Sequence, residues 1–366
     1  MKIAQVCHGY YPYLGGIETH VREISERLVK KRFEVEVLAT DPSNKLLREE
    51  RLNDVVIKRF KSWAPNQAYY FSKELKRYLV EKSNDYDVVH AHGYHAFPAL
   101  YAAQSKKMNR LIFTPHYHGT GHTLFRKLLH IPYKFLGEKI FEKADRIVFV
   151  SNYERDLAMK RFKVDEKKVT VIPNGISVEE FRGLKKRSKD YRAILYVGRL
   201  EKYKGIQYLI QALPRVGHDV IFEIVGKGPY KEGLVELSRK AGVENKVRFF
   251  QDLPRQELLQ MYADSDLFVL LSKYEAYGIS VAEALASGTP CIVANASALK
   301  HWIDNEKCLG IDYPIDTNKL ACLISDVIGR RIERVNLPDW EEVVEELVKL
   351  YEEDQGYEYK RSIFLG

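Results

Sequence analysis

Two successive series of short apolar runs, each run followed by a helical stretch, constrain this chain more than any other feature, because such alternation closes into parallel sheets built from βαβ units. In the first series, strands are read over 2–7, 34–39, 55–59, 87–91, 111–114, 146–150 and 169–172. The clearest helix follows Gly16: Ile17, Val21, Ile24 and Leu28 recur at helical spacing and put one apolar stripe on a sheet. The pattern pauses at Pro173-Asn174-Gly175 and the charged stretch 185–190, then resumes with strands over 193–197, 222–225, 247–249, 267–271 and 291–293. This predicts an α/β chain of two Rossmann-like parallel-sheet domains, 1–175 and 176–338. A helix is expected over about 339–353, after Leu337-Pro338-Asp339, and 354–366 reads as a poorly ordered tail.

Composition narrows the class. In 366 residues the longest apolar runs, such as 267–271, fall far short of the roughly 18 residues that suggest a membrane span. Residues 1–8 lack the long apolar stretch of a secretory signal and read as a first strand. Cys7, Cys291, Cys308 and Cys322 are widely spaced, which suggests neither a disulfide framework nor a thiolate zinc site and fits a reducing cytoplasm. The net charge of +8 is uneven: residues 1–182 hold 32 Lys and Arg against 22 Asp and Glu, the remainder 26 against 28. A basic first half points to a phosphate-bearing substrate or an acidic lipid surface, and not to nucleic acid in general.

Ligands of open α/β sheets bind in the loops at the carboxyl ends of the strands, and the unusual residues lie there. Gly15-Gly16 ends the loop after the first strand and opens a helix, so its amides can approach a phosphate; the plainer alternative is a tight turn. Gly226-Lys227-Gly228 lacks the third glycine of a dinucleotide fingerprint. Gly198-Arg199 through Lys204-Gly205 puts two cations beyond a strand end, where a planar guanidinium and a compact ammonium could neutralise a departing diphosphate. Glu275 stands in a loop after a buried strand and has no capping role to explain it. Ser280-Val281-Ala282-Glu283 reads as a capping box, so Glu283 could satisfy a helix start, hold ribose hydroxyls, or both.

Six of the eleven histidines, His90, His92, His95, His116, His118 and His122, fall within 33 residues. Two HxH pairs raise the question of a metal, but no HExxH or carboxylate pair supports one, so hydrogen bonding to a polar ligand is preferred and no metal is expected. The basic, apolar stretch 124–136 could rest on an anionic membrane; an ordinary amphipathic helix packed on its sheet is the preferred reading, since Pro132 interrupts it.

Taken together, Gly15-Gly16-Ile17-Glu18-Thr19-His20, Asp87-Val88-Val89-His90-Ala91-His92, Thr114-Pro115-His116, Val171-Ile172-Pro173-Asn174-Gly175, Gly198-Arg199-Leu200 with Lys204-Gly205, and Glu275 to Glu283 with Ala286-Ser287-Gly288-Thr289-Pro290 resemble the retaining glycosyltransferases of family 4. The resemblance covers nearly the whole chain. It implies a GT-B fold, two Rossmann-like domains facing a cleft, with the helix around Trp340 crossing back to the first domain. It implies that Arg199 and Lys204 bind the donor diphosphate, that Glu283 holds the ribose, and that Glu275 lies beside the donor sugar. Amides of Ala276, Tyr277, Gly278 and Ile279 would meet sugar hydroxyls and phosphate, with Gly15 and Gly16 closing on the donor. His116 would stand near the anomeric centre, and His92 and His118 would contact acceptor or sugar.

The implied reaction transfers a hexose from a UDP-sugar or GDP-sugar to a hydroxyl of a saccharide, lipid-linked or small-molecule acceptor, with retention of configuration and no required cofactor or metal. The implied place is the cytoplasm, with the basic first half suited to peripheral contact at the inner face of the cell membrane. Two departures stand out: Asn295-Ala296-Ser297-Ala298 replaces the family's usual Gly-rich turn, and Gln251-Asp252 stand where a glycine is common. A nucleotide-sugar epimerase on the same fold and a non-catalytic nucleotide-sugar binding protein are the alternatives.

Overall fold

A computed structural model describes residues 1–13, 15–65, 68–119, 124–217 and 219–353; over 124–132 it describes the backbone alone. The chain divides into two compact units, one joining residues 1–175 to the helix Trp340–Glu352, the other Ile176–Asp339.

The first unit is built on strands β1 (Lys2–Cys7), β2 (Glu34–Asp41), β3 (Glu49–Leu52), β4 (Val55–Lys61), β5 (Val88–His92), β6 (Arg110–Thr114), β7 (Arg146–Phe149) and β8 (Val169–Val171). They lie in the order β3-β4-β2-β1-β5-β6-β7-β8, all parallel except the β3–β4 pair. Succession runs one way from β1 and the other way from β5, so the switch in strand order falls between them. The helices Gly16–Lys30 and Trp340–Glu352 cover one face. Val21, Ile24 and Leu28 of the first meet Ile3, Val35, Val37 and Val88 of the sheet, with Val344 and Leu347 of the second in the same cluster. Full burial of such side chains stabilises by roughly 1.5–3 kcal/mol each. The same face carries polar residues toward the strand ends, because Gln5 stands opposite His90, and His92 opposite Thr114.

The second unit contains β9 (Arg192–Val197), β10 (Val220–Val225), β11 (Val247–Phe250), β12 (Leu267–Leu270), β13 (Cys291–Ala294) and β14 (Cys308–Ile311). Every ladder is parallel, in the order β11-β10-β9-β12-β13-β14, and the switch falls between β9 and β12. Two strands were not anticipated. β3 is a charged edge strand joined to β4 by Asn53 and Asp54, both in the left-handed region, and β14 is a short edge strand beside β13.

Candidate functional site

In the second unit, the loops after the two switch-point strands bring Lys204 and Glu275 together. Lys204 ends a short 3-10 turn over Lys202–Lys204, followed by Gly205 at φ 78°. A Cβ on Gly205 would strike the Leu271 carbonyl at the end of β12, so only glycine lets this turn press against the neighbouring loop. The result is an ion pair, with Lys204 Nζ 2.6 Å from Glu275 Oε1, and both side chains largely withdrawn from solvent. Burial alone would lower the Lys204 pKa, but the charge of Glu275 outweighs it and holds the ammonium protonated. Arg199 projects from the same loop and pairs with Glu201 at 2.9 Å.

Glu275 is held by its backbone as well: its N–H donates to Ser297 Oγ at 3.0 Å. Ser297 adopts φ 51°, so the chain keeps at this residue a left-handed backbone that glycine favours, and adds a hydroxyl that glycine could not supply. Gly278, at φ 103°, opens the helix Ile279–Ala286 with no side-chain cap, and Trp302 Nε1 donates to the Tyr277 carbonyl at 2.8 Å. The capping-box reading of Ser280 and Glu283 is therefore corrected: Ser280 already lies inside the helix. Glu283 instead accepts from Arg255 Nη1 at 2.5 Å and from Tyr262 Oη at 2.8 Å. Arg255, which sequence reasoning did not single out, also bonds Glu180. Gly226 and Gly228 pack against the Gly198-to-Leu200 loop, where a Cβ on either would strike that backbone; their role is close packing of two loops.

In the first unit, Gly15 is the N-cap of the helix Gly16–Lys30 and supplies no side-chain cap. A Cβ on Gly15 would collide with the Glu18 carboxylate, whereas around Gly16 nothing lies within 4 Å of that position. Gly16 thus leaves open approach to the helix start. The histidines separate by role. His90 is fully engaged, Nδ1 with Tyr351 Oη at 2.7 Å and Nε2 with Thr114 Oγ1 at 2.8 Å, and ties the helix Trp340–Glu352 to the sheet. His118 stacks on His95 with ring centroids 4.6 Å apart. His122 and most of the side chains of 124–136 lie outside the described residues.

His92 and His116 gather instead with His20, whose ring centroid lies 5.4 Å from that of His92 and 4.8 Å from that of His116. Burial pushes the His20 imidazole down to about 4, and burial with the neighbouring imidazoles holds His92 and His116 well below the ordinary value. All three rings are therefore neutral at pH 7. His116 sits at φ 48°, a conformation costly for a bulky side chain and found where a site over-determines it. The loop carrying it is fixed by Glu154, fully buried, which accepts from the N–H groups of Tyr117 at 2.5 Å and Val150 at 2.7 Å. In the sequence His20 stood only as the last residue of the Gly15-to-His20 motif, with no role assigned to it.

Two switch-point sheets with glycine-opened loops and a buried Lys-Glu pair describe a GT-B glycosyltransferase. Residues 14–180 match the family model Glycosyltransferase Family 4, and residues 177–337 match Glycosyl transferases group 1. The chain belongs to this glycosyltransferase family. It is 29% identical to an uncharacterized glycosyltransferase of Methanocaldococcus jannaschii, over 96% of this chain and 98% of that protein. It is 28% identical to a glycogen synthase of Mycobacterium tuberculosis, over 90% and 86%. Among solved structures it is similar to Anabaena HepE in complex with UDP and glucose, with a TM-score of 0.77, 17% identity, and 96% and 99% of the two chains covered. Among the described residues, no helix is long and apolar enough to cross a membrane.

Proposed function

We propose that the chain transfers a hexose from a nucleotide diphosphate sugar to an acceptor hydroxyl with retention of configuration. The observation that carries this reading is the Lys204–Glu275 pair in the loops at the switch point of the second sheet, where open α/β sheets take their ligands. The likeness to HepE, a protein seen with UDP and glucose, supports a nucleotide-sugar donor. In this reading an incoming diphosphate takes Lys204 from Glu275, with Arg199 as second cation, and the freed carboxylate receives sugar hydroxyls. Amides of Ala276 to Ile279 meet sugar and phosphate, and Glu283 meets the ribose. Gly15, Gly16 and His116 also serve the donor and His118 the sugar or acceptor, whereas His92, fully buried with its Nε2 on Gln5, stands behind them. The bond from the anomeric carbon to the phosphate oxygen breaks, the acceptor oxygen bonds to that carbon on the same face, and the acceptor proton passes to the leaving phosphate. Lysine and arginine stabilise the charge that develops there, so no metal is required.

The test is proton NMR of the product made from UDP-hexoses and GDP-hexoses with saccharide acceptors. An anomeric coupling matching that of the donor supports the proposal. Inversion contradicts it, and an altered sugar formed without acceptor would favour an epimerase.

A further inference from the structure

Three imidazole nitrogens in the first unit are buried without a hydrogen-bond partner: His20 Nε2, His92 Nδ1 and His116 Nε2. A ligating nitrogen from each of these rings lies within 4.8 Å of the other two, the only such grouping among the described residues. Leaving one buried polar atom unsatisfied costs roughly 1–3 kcal/mol, and three side by side concentrate that cost at one point. His90, whose ring centroid is 4.1 Å from that of His92, shows the contrast, since both its nitrogens are bonded.

The rings are also oriented from behind. His20 Nδ1–H donates to Asn174 Oδ1 at 2.6 Å, and His92 Nε2–H donates to Gln5 Oε1 at 2.7 Å. Gln5 is in turn placed by Tyr351, its Nε2 lying 3.5 Å from that hydroxyl. A proton fixed on one ring nitrogen leaves a lone pair on the other, which is how histidines that hold metals are supported. These rings come from three segments: the first helix, the end of β5, and the loop after β6.

We propose that His20, His92 and His116 form a binding site for a divalent transition-metal ion of the zinc class. Three neutral imidazoles without a carboxylate suit zinc, cobalt, nickel or copper, and not the oxygen-seeking magnesium or calcium. Zinc at about 2.0–2.1 Å from each nitrogen would set tetrahedral neighbours about 3.4 Å apart, so nitrogens now within 4.8 Å of one another would draw together on binding. His116 is 8% exposed, against 2% for His20 and 0% for His92, so it is the ring of the three least withdrawn from solvent. Asn174 and Gln5 are positioning residues for this site. The inference goes beyond the proposed function, with which it shares His116, and its readout is metal binding by the first unit and not sugar transfer.

The test uses the full chain, stripped of metal with EDTA and titrated with Co(II) and Zn(II). The expected result is one equivalent bound, a visible spectrum of low-symmetry Co(II), and zinc-edge X-ray absorption showing three imidazole nitrogens at about 2.0–2.1 Å. His116→Gln should weaken binding at least about tenfold, while His301→Gln, an exposed histidine of the second unit, should leave it unchanged. His20 and His92 lie in the core, where substitution risks unfolding, so the spectroscopy of the unaltered chain carries the test without them. No stoichiometric binding, sulfur ligation such as exposed Cys322 would give, or affinity unmoved by His116→Gln would overturn the proposal.

Discussion

Lys204 and Glu275, 71 residues apart in sequence, meet at 2.6 Å because a glycine at 205 lets one strand-end loop press against the next. Each residue holds the other until a ligand intervenes, so the two should act as a unit. Glu275→Ala is expected to lower the transfer rate by roughly 100-fold or more while leaving nucleoside diphosphate affinity within a few-fold. Lys204→Ala should weaken that affinity, and the double variant should show coupling of about 1–3 kcal/mol. Steady-state kinetics and calorimetry check this; additive effects would contradict it.

Gly205→Ala should destabilise the second unit by roughly 1–3 kcal/mol, since it forces alanine to φ 78° and against the Leu271 carbonyl. Thermal unfolding measures the loss, and a melting temperature equal to that of the parent chain would contradict the assigned packing.

His90 is assigned a structural part. Tyr351→Phe removes the hydroxyl that meets His90 Nδ1 and leaves a buried polar atom unmatched, at roughly 1–3 kcal/mol. Denaturant unfolding should show this cost with nucleoside diphosphate affinity unchanged. A variant as stable as the parent would remove the tie between Trp340–Glu352 and the sheet.

Burial pushes the Glu154 carboxyl up to about 8, against 4.5 in the unfolded chain, although two backbone N–H groups favour its charged form. A raised carboxyl pKa means that the folded state keeps a proton the unfolded state has released. Its stabilising effect is full below 4.5 and is lost as pH rises toward about 8. Relative to Glu154→Gln, the parent chain should lose on the order of a few kcal/mol across that window. Parallel stability curves for the two would contradict it.

The strand pattern was largely legible because parallel strands buried on both faces read as continuous apolar runs. β3 was not, since its Glu49-Glu50-Arg51-Leu52 is a charged edge strand, of the kind that discourages pairing with other chains. Its signal was Asn53-Asp54, two residues of the kind that tolerate the left-handed backbone a tight hairpin turn needs. The S-x-x-E pattern misled in an instructive way. At Ser280-Glu283 a glycine at 278 had already capped the helix. At Ser151-Glu154 the pattern does cap one, with Ser151 Oγ accepting from the Glu154 N–H. Local sequence cannot tell the two apart, because the outcome depends on where the preceding strand ends. The grouping of His20 with His92, His116 and Asn174 escaped notice for a related reason: these residues are distant in sequence and meet only through the fold.

The most direct test of the central claim is calorimetric titration of UDP and GDP into the parent chain and Lys204→Ala, in the presence of EDTA. The account predicts that one nucleoside diphosphate binds the parent chain without metal and that Lys204→Ala weakens it at least about tenfold, roughly 1.4 kcal/mol. Binding that requires a divalent ion, or equal affinity for both proteins, would contradict it.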